Sequence, residues 1–315
     1  MIYLAPLQGF TDFVYRNAFE KVFHSVDAYF IPYITLKGTE VLQKYQKEVI
    51  PENNQHGKSV PQILAKDEEE LVSLCSYLNN LGYQEINLNL GCPYPMVTNR
   101  GKGSKLLTGP EKLEQMLHAF FDNFSMKLSV KMRAGFESAA EIEKIIPVLN
   151  RFPLKNVIIH PRVASQLYKG EVHEAAFQFA LENLKQTPVY NGDIFSMNDY
   201  LKRSDQFPEV NSWMLGRGVL KDVFLPDKIK GTQHSELEQR QLLLNFHQTV
   251  FEEYIRQADN SGNVLNKMQQ FWSYFSHHFE RQTKVLKLIK KLKDISFLEA
   301  GVKYLIINEE LKRQD

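Results

Sequence analysis

Short apolar runs rich in β-branched and aromatic residues recur along the first two thirds of the chain. There are eight of them, and most of the gaps between them carry helix-compatible segments with apolar residues three and four positions apart. Several of those segments begin with acidic residues, as the first turn of a helix prefers. Strand and helix alternating eight times predict a (β/α)8 TIM barrel. The runs are IYLAPL, AYFIPYI, VPQILA, EINLNL, LSVKM, NVIIH, TPVYN and SWMLG.

One face of the central runs becomes polar toward its C-terminal end. Alternate residues of a strand share a face, so each run aims its polar residues to one side of the sheet. A charged side chain inside a barrel strand is costly unless it faces a ligand or a partner. Barrel enzymes place their active sites at the strand C-termini, so we predict a site there. This face carries Asn87, Asn89 and Gly91; Ser129, Lys131 and Arg133; Ile158, His160 and Arg162; and Val189, Asn191 and Asp193.

The pattern changes near Gly231, beyond which the segments look helical and no strand-like run appears. We predict a barrel domain over residues 1–232 and an all-α domain over residues 233–315. Within the helical part, the segment RQTKVLKLIKKLK at 281–293 concentrates basic residues, and Lys284, Lys287 and Lys291 line one side of a helix. This stripe is explained either by a solvated helix face or by contact with a nucleic-acid backbone.

Composition narrows the class of protein. The net charge of +1 gives no general attraction to polyanions, and two cysteines are too few for a disulfide scaffold or a cysteine-based zinc site. No apolar run approaches the roughly 20 residues that span a bilayer, and no signal-peptide core opens the sequence. We expect a cytoplasmic monomer with no membrane partner and no metal.

Cys92 lies between Gly91 and Pro93, where the fourth run stops and a glycine-containing loop begins. A lone cysteine is usually a small buried hydrophobe, and Cys75, within a helical pattern, fits that description. Gly91 and Pro93 break the strand and expose the position of Cys92, which is therefore either a second small buried hydrophobe or a functional thiol. A thiol that keeps its proton at neutral pH suits a proton donor as well as a latent nucleophile. The following loop, NRGKGSK, lacks the spacing of a P-loop; it is either a solvated turn or a mobile basic loop that closes over an anion.

Lys131, His160 and two glycine turns each admit two interpretations. Lys131 fits an ion-paired barrel lysine or an aldolase-like Schiff base, and His160 fits a core histidine or a catalyst. The turns YNGDI and LGRGV follow the seventh and eighth runs. Barrels commonly build phosphate sites from backbone N–H groups at those two places, so the pair of turns favours a phosphorylated ligand.

Taken in chain order, seven segments resemble the tRNA-dihydrouridine synthase family of flavin enzymes. They lie between residues 3 and about 220: LAPLQGFTDFVYR, PQI, NLNLGCP with RGKGSKLL, SVKMRAG, IIHPRVASQLYKG, VYNGDI and MLGRG. The resemblance implies a barrel that holds FMN at its C-terminal mouth. It also implies that NADPH reduces this FMN. It further implies hydride transfer to C6 of a uridine in tRNA, which yields dihydrouridine.

The resemblance also implies roles for individual residues. Cys92 matches the cysteine that protonates C5 of the uracil ring. The predicted flavin contacts are Pro6, Gln62, Lys131, His160, Asn191, Gly192, Asp193, Gly216 and Arg217. The predicted substrate contacts are Asn89, Arg133, Arg162 and Tyr168 near the uridine, with Lys284, Lys287 and Lys291 on the RNA backbone.

Other functions remain open on sequence alone. An FMN-barrel reductase of a small enone or pyrimidine keeps the flavin residues but needs no RNA-binding tail. A non-catalytic barrel binds structured RNA without reducing it. A lysine aldolase acting through Lys131 is a third alternative, which explains the Asn191 and Arg217 turns only as a sugar-phosphate site.

Overall fold

The computed structural model describes residues 1–258 and 260–312. Eight parallel strands close into a barrel, each paired with the next along the chain and the last paired with the first. Every predicted apolar run supplies one strand, which confirms the (β/α)8 barrel. The strands are β1 Ile2–Leu4, β2 Ala28–Ile34, β3 Ser59–Ile63, β4 Glu85–Leu90, β5 Lys127–Gly135, β6 Val157–Val163, β7 Val189–Asn191 and β8 Trp213–Leu215.

Helices follow most of the strands, and further helices occupy the C-terminal third. A small antiparallel hairpin, Leu36–Lys37 with Glu40–Val41, follows β2. The helices are α1 Phe13–Phe23, α2 Gln43–Val49, α3 Glu68–Asn80, α4 Pro95–Thr98, α5 Pro110–Asn123, α6 Ile142–Leu149, α7 Glu174–Asn183, α8 Met197–Gln206, α9 Arg217–Lys221, α10 Leu225–Ile229, α11 Glu236–Gln257, α12 Ser261–Phe275, α13 Gln282–Lys291 and α14 Ile295–Asn308. Among the described residues, none of these helices combines the length and the apolar character needed to cross a membrane.

The chain packs into two compact units. The first contains all eight strands and consists of Met1–Gln8, Asp27–Gly192 and Ser204–Leu215. The second consists of Gly9–Val26, Asp193–Arg203 and the described part of Gly216–Asp315, so α1 belongs with the C-terminal helices. The division into domains 1–232 and 233–315 stays a prediction.

The interior of the first unit is filled by apolar side chains from the strands. Tyr3 of β1 and Phe30 of β2 lie with their ring centroids 5.8 Å apart. Full burial of such a side chain stabilises a fold by about 1.5–3 kcal/mol. The barrel is therefore a packed core beneath its C-terminal mouth rather than a channel. Its apolar cluster is Tyr3, Ala5, Phe30, Val60, Ile158, Val189 and Met214.

The second unit has an aromatic core. Phe19 and Phe23 of α1 pack edge-on against Phe246 of α11, with centroid distances of 5.9 and 5.5 Å. Trp272 and Phe275 of α12 are also buried in it. These rings explain why α1 packs among the C-terminal helices.

The segment 263–293, which looks like one long helix in sequence, is broken into two. After α12 a 3₁₀ turn, Ser276–His278, changes the chain direction before α13 begins. His278 is buried there and accepts a hydrogen bond from the Val223 N–H at 3.4 Å, while Phe279 pairs with Leu311. These tertiary contacts, rather than a proline or glycine, end the helix.

Candidate active site

Polar side chains form tiers inside the barrel near its C-terminal mouth. The strand register places Gln62 of β3 beside Asn87 of β4, and Asn87 beside Ser129 of β5. One tier higher, Asn89 lies beside Lys131. Three of these five side chains, those of Gln62, Asn87 and Ser129, are almost fully buried. The period of two that predicts a polar face is thus present in the barrel.

A continuous chain of hydrogen bonds links these tiers to the Cys92 turn. The Asn89 side chain accepts from the backbone N–H groups of Gly91 and Cys92, at 3.0 and 2.9 Å, and donates to Gln62 at 2.7 Å. Gln62 donates to Asn87 at 2.7 Å, and Asn87 donates to the Ser129 hydroxyl at 2.9 Å. Two successive N–H groups are thereby held by one amide oxygen, so the turn that carries Cys92 has a fixed conformation.

The direction of this chain is set by its two ends. At one end backbone N–H groups can only donate to Asn89, and at the other the Ile86 carbonyl can only accept from Ser129. Each amide between them therefore has one orientation that satisfies both neighbours. Asn89 and Gln62, predicted as substrate and flavin contacts, are thus oriented by the protein itself; those contacts stay predictions.

Cys92 is buried rather than exposed, with a relative accessibility of 8%. It packs with Leu64, Val97 and the partly buried Tyr33. Burial raises the pKa of its thiol, against smaller lowering effects from a backbone hydrogen bond, Arg133 and Lys131. The thiol therefore carries its proton at neutral pH, as a proton donor requires.

The loop after Cys92 covers it. The backbone N–H and the hydroxyl of Ser104 both donate to the Cys92 carbonyl, at 3.1 and 2.9 Å. Gly103 has a φ of 62°, and a Cβ there would lie 2.7 Å from the same carbonyl oxygen. Glycine is the residue that fits this close approach. The sequence motif thus needs its second glycine to bring the loop onto Cys92.

Lys102 anchors this loop instead of presenting a free charge. Its ammonium lies 2.7 Å from a Glu70 carboxylate oxygen and 2.8 Å from the Thr35 hydroxyl, and the residue is 5% exposed. Lys105 lies over the Phe136 ring at 4.5 Å. The interpretation of NRGKGSK as a mobile basic loop is therefore wrong for Lys102, because a paired and buried ammonium holds the loop to its neighbours.

Lys131 provides a cation at the mouth. It forms no hydrogen bond or ion pair with the residues that the structure describes, although its neighbours are extensively paired. Burial, and then repulsion from Arg133, lower the pKa of Lys131 to about 7. An ammonium in this position gains from an anionic ligand, which fits the predicted contact with a flavin.

Two arginines hold the loops around the mouth. Arg133 donates to the Gly91 carbonyl at 3.0 Å and to the Val163 carbonyl at 2.9 Å, which ties the Cys92 turn to the end of β6. Arg162 donates twice to the Gly170 carbonyl, at 3.2 and 2.5 Å. Both guanidinium groups are thus used within the protein, and their predicted contacts with the uridine stay predictions.

His160 and Tyr168 form an aromatic wall beside these arginines. Their ring centroids lie 6.2 Å apart, and the Arg133 guanidinium lies 5.4 Å from the centroid of Tyr168. Arg162 also approaches His160 Nε2 at 3.4 Å. Tyr168 is 39% exposed, so part of its side chain is accessible at the mouth.

The predicted phosphate turns follow β7 and β8. Within the first unit, Asn191 donates to the Met214 carbonyl at 2.7 Å, and a Cβ on Gly192 would lie 3.1 Å from a His160 ring carbon. Pro6, after β1, is partly buried in the same unit. A side chain at Gly192 would press on His160, so glycine lets the turn after β7 lie close to the His160 ring.

In the second unit, Asp193 and Arg217 form an ion pair of 3.3 Å. Asp193 has a φ of 44°, an uncommon value for a residue other than glycine. Gly216 immediately precedes α9, whose first residue is Arg217. The tight backbone and the guanidinium are compatible with the predicted phosphate contact, which stays a prediction.

The tail lysines lie on one helix, as predicted, but differ in their surroundings. Lys284 of α13 pairs with Glu309 at 2.8 Å. Lys287 and Lys291 are exposed and form no ion pair with a described residue. The same helix buries Val285 and Ile289, whereas Leu288 is 43% exposed.

Sequence patterns alone do not identify several residues of the site. Asn87 and Ser129 lie on the predicted polar face but have no role assigned from sequence. Gly103, Ser104 and Glu70 have none either; a glycine repeat in the loop is the only available signal. Among residues 1–258 and 260–312, no group of three His, Cys, Asp or Glu side chains is arranged to hold a metal ion.

The protein is a closed (β/α)8 barrel, and its C-terminal mouth, where barrel enzymes place their active sites, holds the Cys92 thiol and a lysine that pairs with no described residue. Among solved structures, morphinone reductase shares the fold, with a TM-score of 0.52, 10% identity, and coverage of 74% of this chain and 86% of that one. The family model for dihydrouridine synthase matches residues 3–304. The chain belongs to the dihydrouridine synthase family and is therefore an oxidoreductase.

Named relatives agree with this assignment. A probable tRNA-dihydrouridine synthase of Helicobacter pylori is 29% identical over 229 residues, 70% of this chain and 67% of that protein. The tRNA-dihydrouridine(16) synthase of Cupriavidus necator is 25% identical, with 73% of each chain covered. That of Neisseria meningitidis is 23% identical and covers 93% of this chain and 91% of its own.

Proposed function

We propose that this chain reduces the 5,6 double bond of a uridine in tRNA to give dihydrouridine, with FMN as cofactor and NADPH as reductant. The observation that carries this proposal is the juxtaposition of the buried Cys92 thiol with Lys131 at the mouth of a barrel. The tRNA substrate follows the names of the relatives, and the flavin follows the sequence resemblance.

The chemistry divides between the cofactor and the chain. Bound FMN, once reduced, supplies the hydride that adds to C6 of the uracil ring. The Cys92 thiol then donates its proton to C5, which completes the addition of two hydrogens across the double bond. The Asn89 amide holds the backbone N–H groups of Gly91 and Cys92, so the thiol is positioned before the substrate arrives.

The mouth also shapes the surroundings of the reacting ring. The positive charge of Lys131 favours negative charge on a neighbouring ligand. We expect the exposed part of the Tyr168 side chain to contact the base. A uridine must leave its stack to reach Cys92, as base-modifying enzymes generally require.

We expect FMN binding at pH 8 to take up close to one proton. Lys131 has a pKa of about 7, so it is mostly neutral at pH 8 in the flavin-free protein. An anionic ligand beside it raises that pKa and restores the ammonium. Calorimetry in buffers of different ionisation enthalpy measures the uptake, and Lys131→Met should abolish it. Lys127→Met, at the exposed start of the same strand, is the control. Equal uptake by wild type and Lys131→Met would contradict the assignment.

We expect the double variant Lys287→Ala/Lys291→Ala to bind tRNA more weakly, with a log–log salt slope lower by about one for each phosphate group that the variant no longer neutralises. Lys284→Ala should have a smaller effect because its ammonium already pairs with Glu309. Filter binding across a range of KCl concentrations measures both quantities. Lys112→Ala, an exposed lysine on α5, is the matched control. Unchanged affinity would make α13 an ordinary solvated helix.

An FMN-barrel reductase of a small enone or pyrimidine is the nearest alternative, and a non-catalytic RNA-binding barrel is another. We also propose a preference for NADPH, a monomeric state and a cytoplasmic location.

The test measures the absorbance spectrum of the flavin and the mass of the tRNA in one experiment. Purified protein should show a flavin spectrum that bleaches with NADPH without oxygen and recovers when unmodified tRNA is added. Mass spectrometry of the tRNA should then show one uridine heavier by two hydrogens. Recovery with a small enone or free uracil but not with tRNA would favour the reductase. A protein that cannot be reconstituted with FMN would refute the proposal.

A further inference from the structure

Basic residues from three distant parts of the sequence lie close together within the second unit, because the Lys312 N–H and the Val223 N–H both bond to His278. Lys221 ends α9, His277 lies in the 3₁₀ turn after α12, and Lys312 lies near the end of the described chain. We refer to Lys221, His277 and Lys312 as the basic cluster. None of them belongs to the predicted site or to the lysine stripe of α13.

His278 holds these segments together. Its ring accepts the Val223 N–H at 3.4 Å, and its backbone carbonyl accepts the Lys312 N–H at 2.8 Å. Burial lowers the pKa of His278 to about 4, so the ring stays neutral at physiological pH. A backbone N–H can only donate, and the accepting ring nitrogen therefore carries no proton. The scaffold beneath the basic cluster is thus fixed and uncharged.

The Lys221 side chain is held by contact with an aromatic ring. Its ammonium lies 5.0 Å from the centroid of the Phe195 ring, and the Arg217 guanidinium lies 5.2 Å from the same centroid. Cation–π contact attracts each of them to the ring. Two like charges are consequently held close to one side chain.

Among the residues that the structure describes, the basic cluster has no neutralising ion pair. Two carboxylates of the same unit already have partners, Asp193 with Arg217 at 3.3 Å and Asp222 with Lys228 at 2.6 Å. Neither Lys221 nor Lys312 forms an ion pair within residues 1–258 and 260–312. Burial lowers the pKa of Lys221, and repulsion from Arg217 and Lys312 lowers it further. Burial and then repulsion from Lys221 and Lys312 lower the pKa of His277. An anion bound here would relieve this repulsion.

We propose that the basic cluster binds a phosphodiester group of the RNA substrate. The identity of this anion rests on the proposed function. Ammonium groups bind phosphate as point charges and carry no base information, so the contact would position the RNA without reading its sequence. A flavin phosphate and free inorganic phosphate present the same chemistry, and the experiment has to separate the three sources.

The test uses the full-length flavin-loaded protein and its variant Lys221→Ala/Lys312→Ala. We expect tRNA affinity at low salt to fall about tenfold or more, and the log–log salt slope to fall by about one to two. Flavin content and bleaching by NADPH should match wild type. The NMR-measured pKa of His277 should rise when tRNA binds wild type. Lys202→Ala/Lys303→Ala, which removes two exposed lysines of the same unit, should keep both affinity and slope.

The variant Lys221→Gln/Lys312→Gln keeps the length and polarity of the side chains and serves if the alanine variant does not fold. Wild-type tRNA affinity and salt slope in the glutamine variant would overturn the proposal. Loss of FMN with unchanged tRNA binding after reconstitution would assign the cluster to the flavin phosphate and also overturn it. If inorganic phosphate stabilises the wild-type protein against heat but the variant keeps its tRNA affinity, the cluster binds free phosphate and not RNA, and the proposal is overturned. Failure of tRNA to reoxidise the wild-type flavin would refute the proposed function separately, because these binding measurements do not require turnover.

Discussion

Cys92→Ala should lower the rate of uridine reduction by about 10²- to 10⁴-fold, the range typical for loss of a general acid. The thiol keeps its proton at neutral pH because burial raises its pKa. Alanine removes that proton but leaves the turn intact, since Asn89 bonds only the backbone of residue 92. The measurement is the anaerobic reoxidation of reduced flavin by excess unmodified tRNA, followed in a single turnover.

Flavin content and tRNA affinity of Cys92→Ala should remain those of wild type. Cys75→Ala is the matched control, because Cys75 is fully buried in α3. It should lose some stability and keep full turnover. Full turnover by Cys92→Ala would remove Cys92 from the mechanism, and loss of tRNA binding would show that the substitution acts on more than proton transfer.

Gly103→Ala should have the second large effect, with turnover lower by on the order of 10²-fold because the thiol is displaced. The new Cβ would lie 2.7 Å from the Cys92 carbonyl oxygen, closer than real Cβ contacts allow, and 3.0 Å from the Cys92 Cβ, which is tighter than most. The φ of 62° adds backbone strain of about 1–2 kcal/mol for a residue with a Cβ. The loop must therefore withdraw from Cys92.

Gly101→Ala separates strain from collision. Gly101 has a similar φ of 72°, but a Cβ there would meet no atom within 4 Å. It should therefore lose stability without a large loss of turnover. The rate at which iodoacetamide alkylates Cys92, measured in a Cys75→Ala background, shows directly whether the loop that carries Gly103 still covers the thiol. This rate should increase in Gly103→Ala and stay unchanged in Gly101→Ala. Equal alkylation rates in the two glycine variants would show that the contact with Cys92 has no consequence.

The barrel was predictable because its signal is local. Each strand is short, apolar and bounded, and the period of two within β4, β5 and β6 marks the face that carries Asn89, Lys131 and His160. The family resemblance singles out Cys92, whose role stays a prediction, and the family match confirms the resemblance itself. These inferences need only neighbours along the chain.

The remaining features depend on contacts between distant residues. Phe19 and Phe23 are apolar whichever unit covers them, so the sequence does not reveal that α1 packs with α11. The break after α12 follows from contacts of His278 with Val223, which lies 55 residues away. Lys102 looks like a free loop cation until Glu70 is placed beside it. The cover over Cys92 depends on a distant contact as well, since its carbonyl is bonded by Ser104, which lies 12 residues further on.

The hydrogen-bond chain from Ile86 to the Cys92 turn has a consequence for the ligands that the mouth accepts. The side-chain oxygens of Gln62 and Asn89 each already receive a protein N–H. Each of their amide nitrogens has two hydrogens, of which one is used within the described residues. Gln62 and Asn89 therefore have more unused hydrogen-bond donors than unused acceptors. A ring with imide carbonyl groups can accept hydrogen bonds from these unused amide N–H groups without rotation of either amide. A ring that presents only N–H groups would place donors against donors.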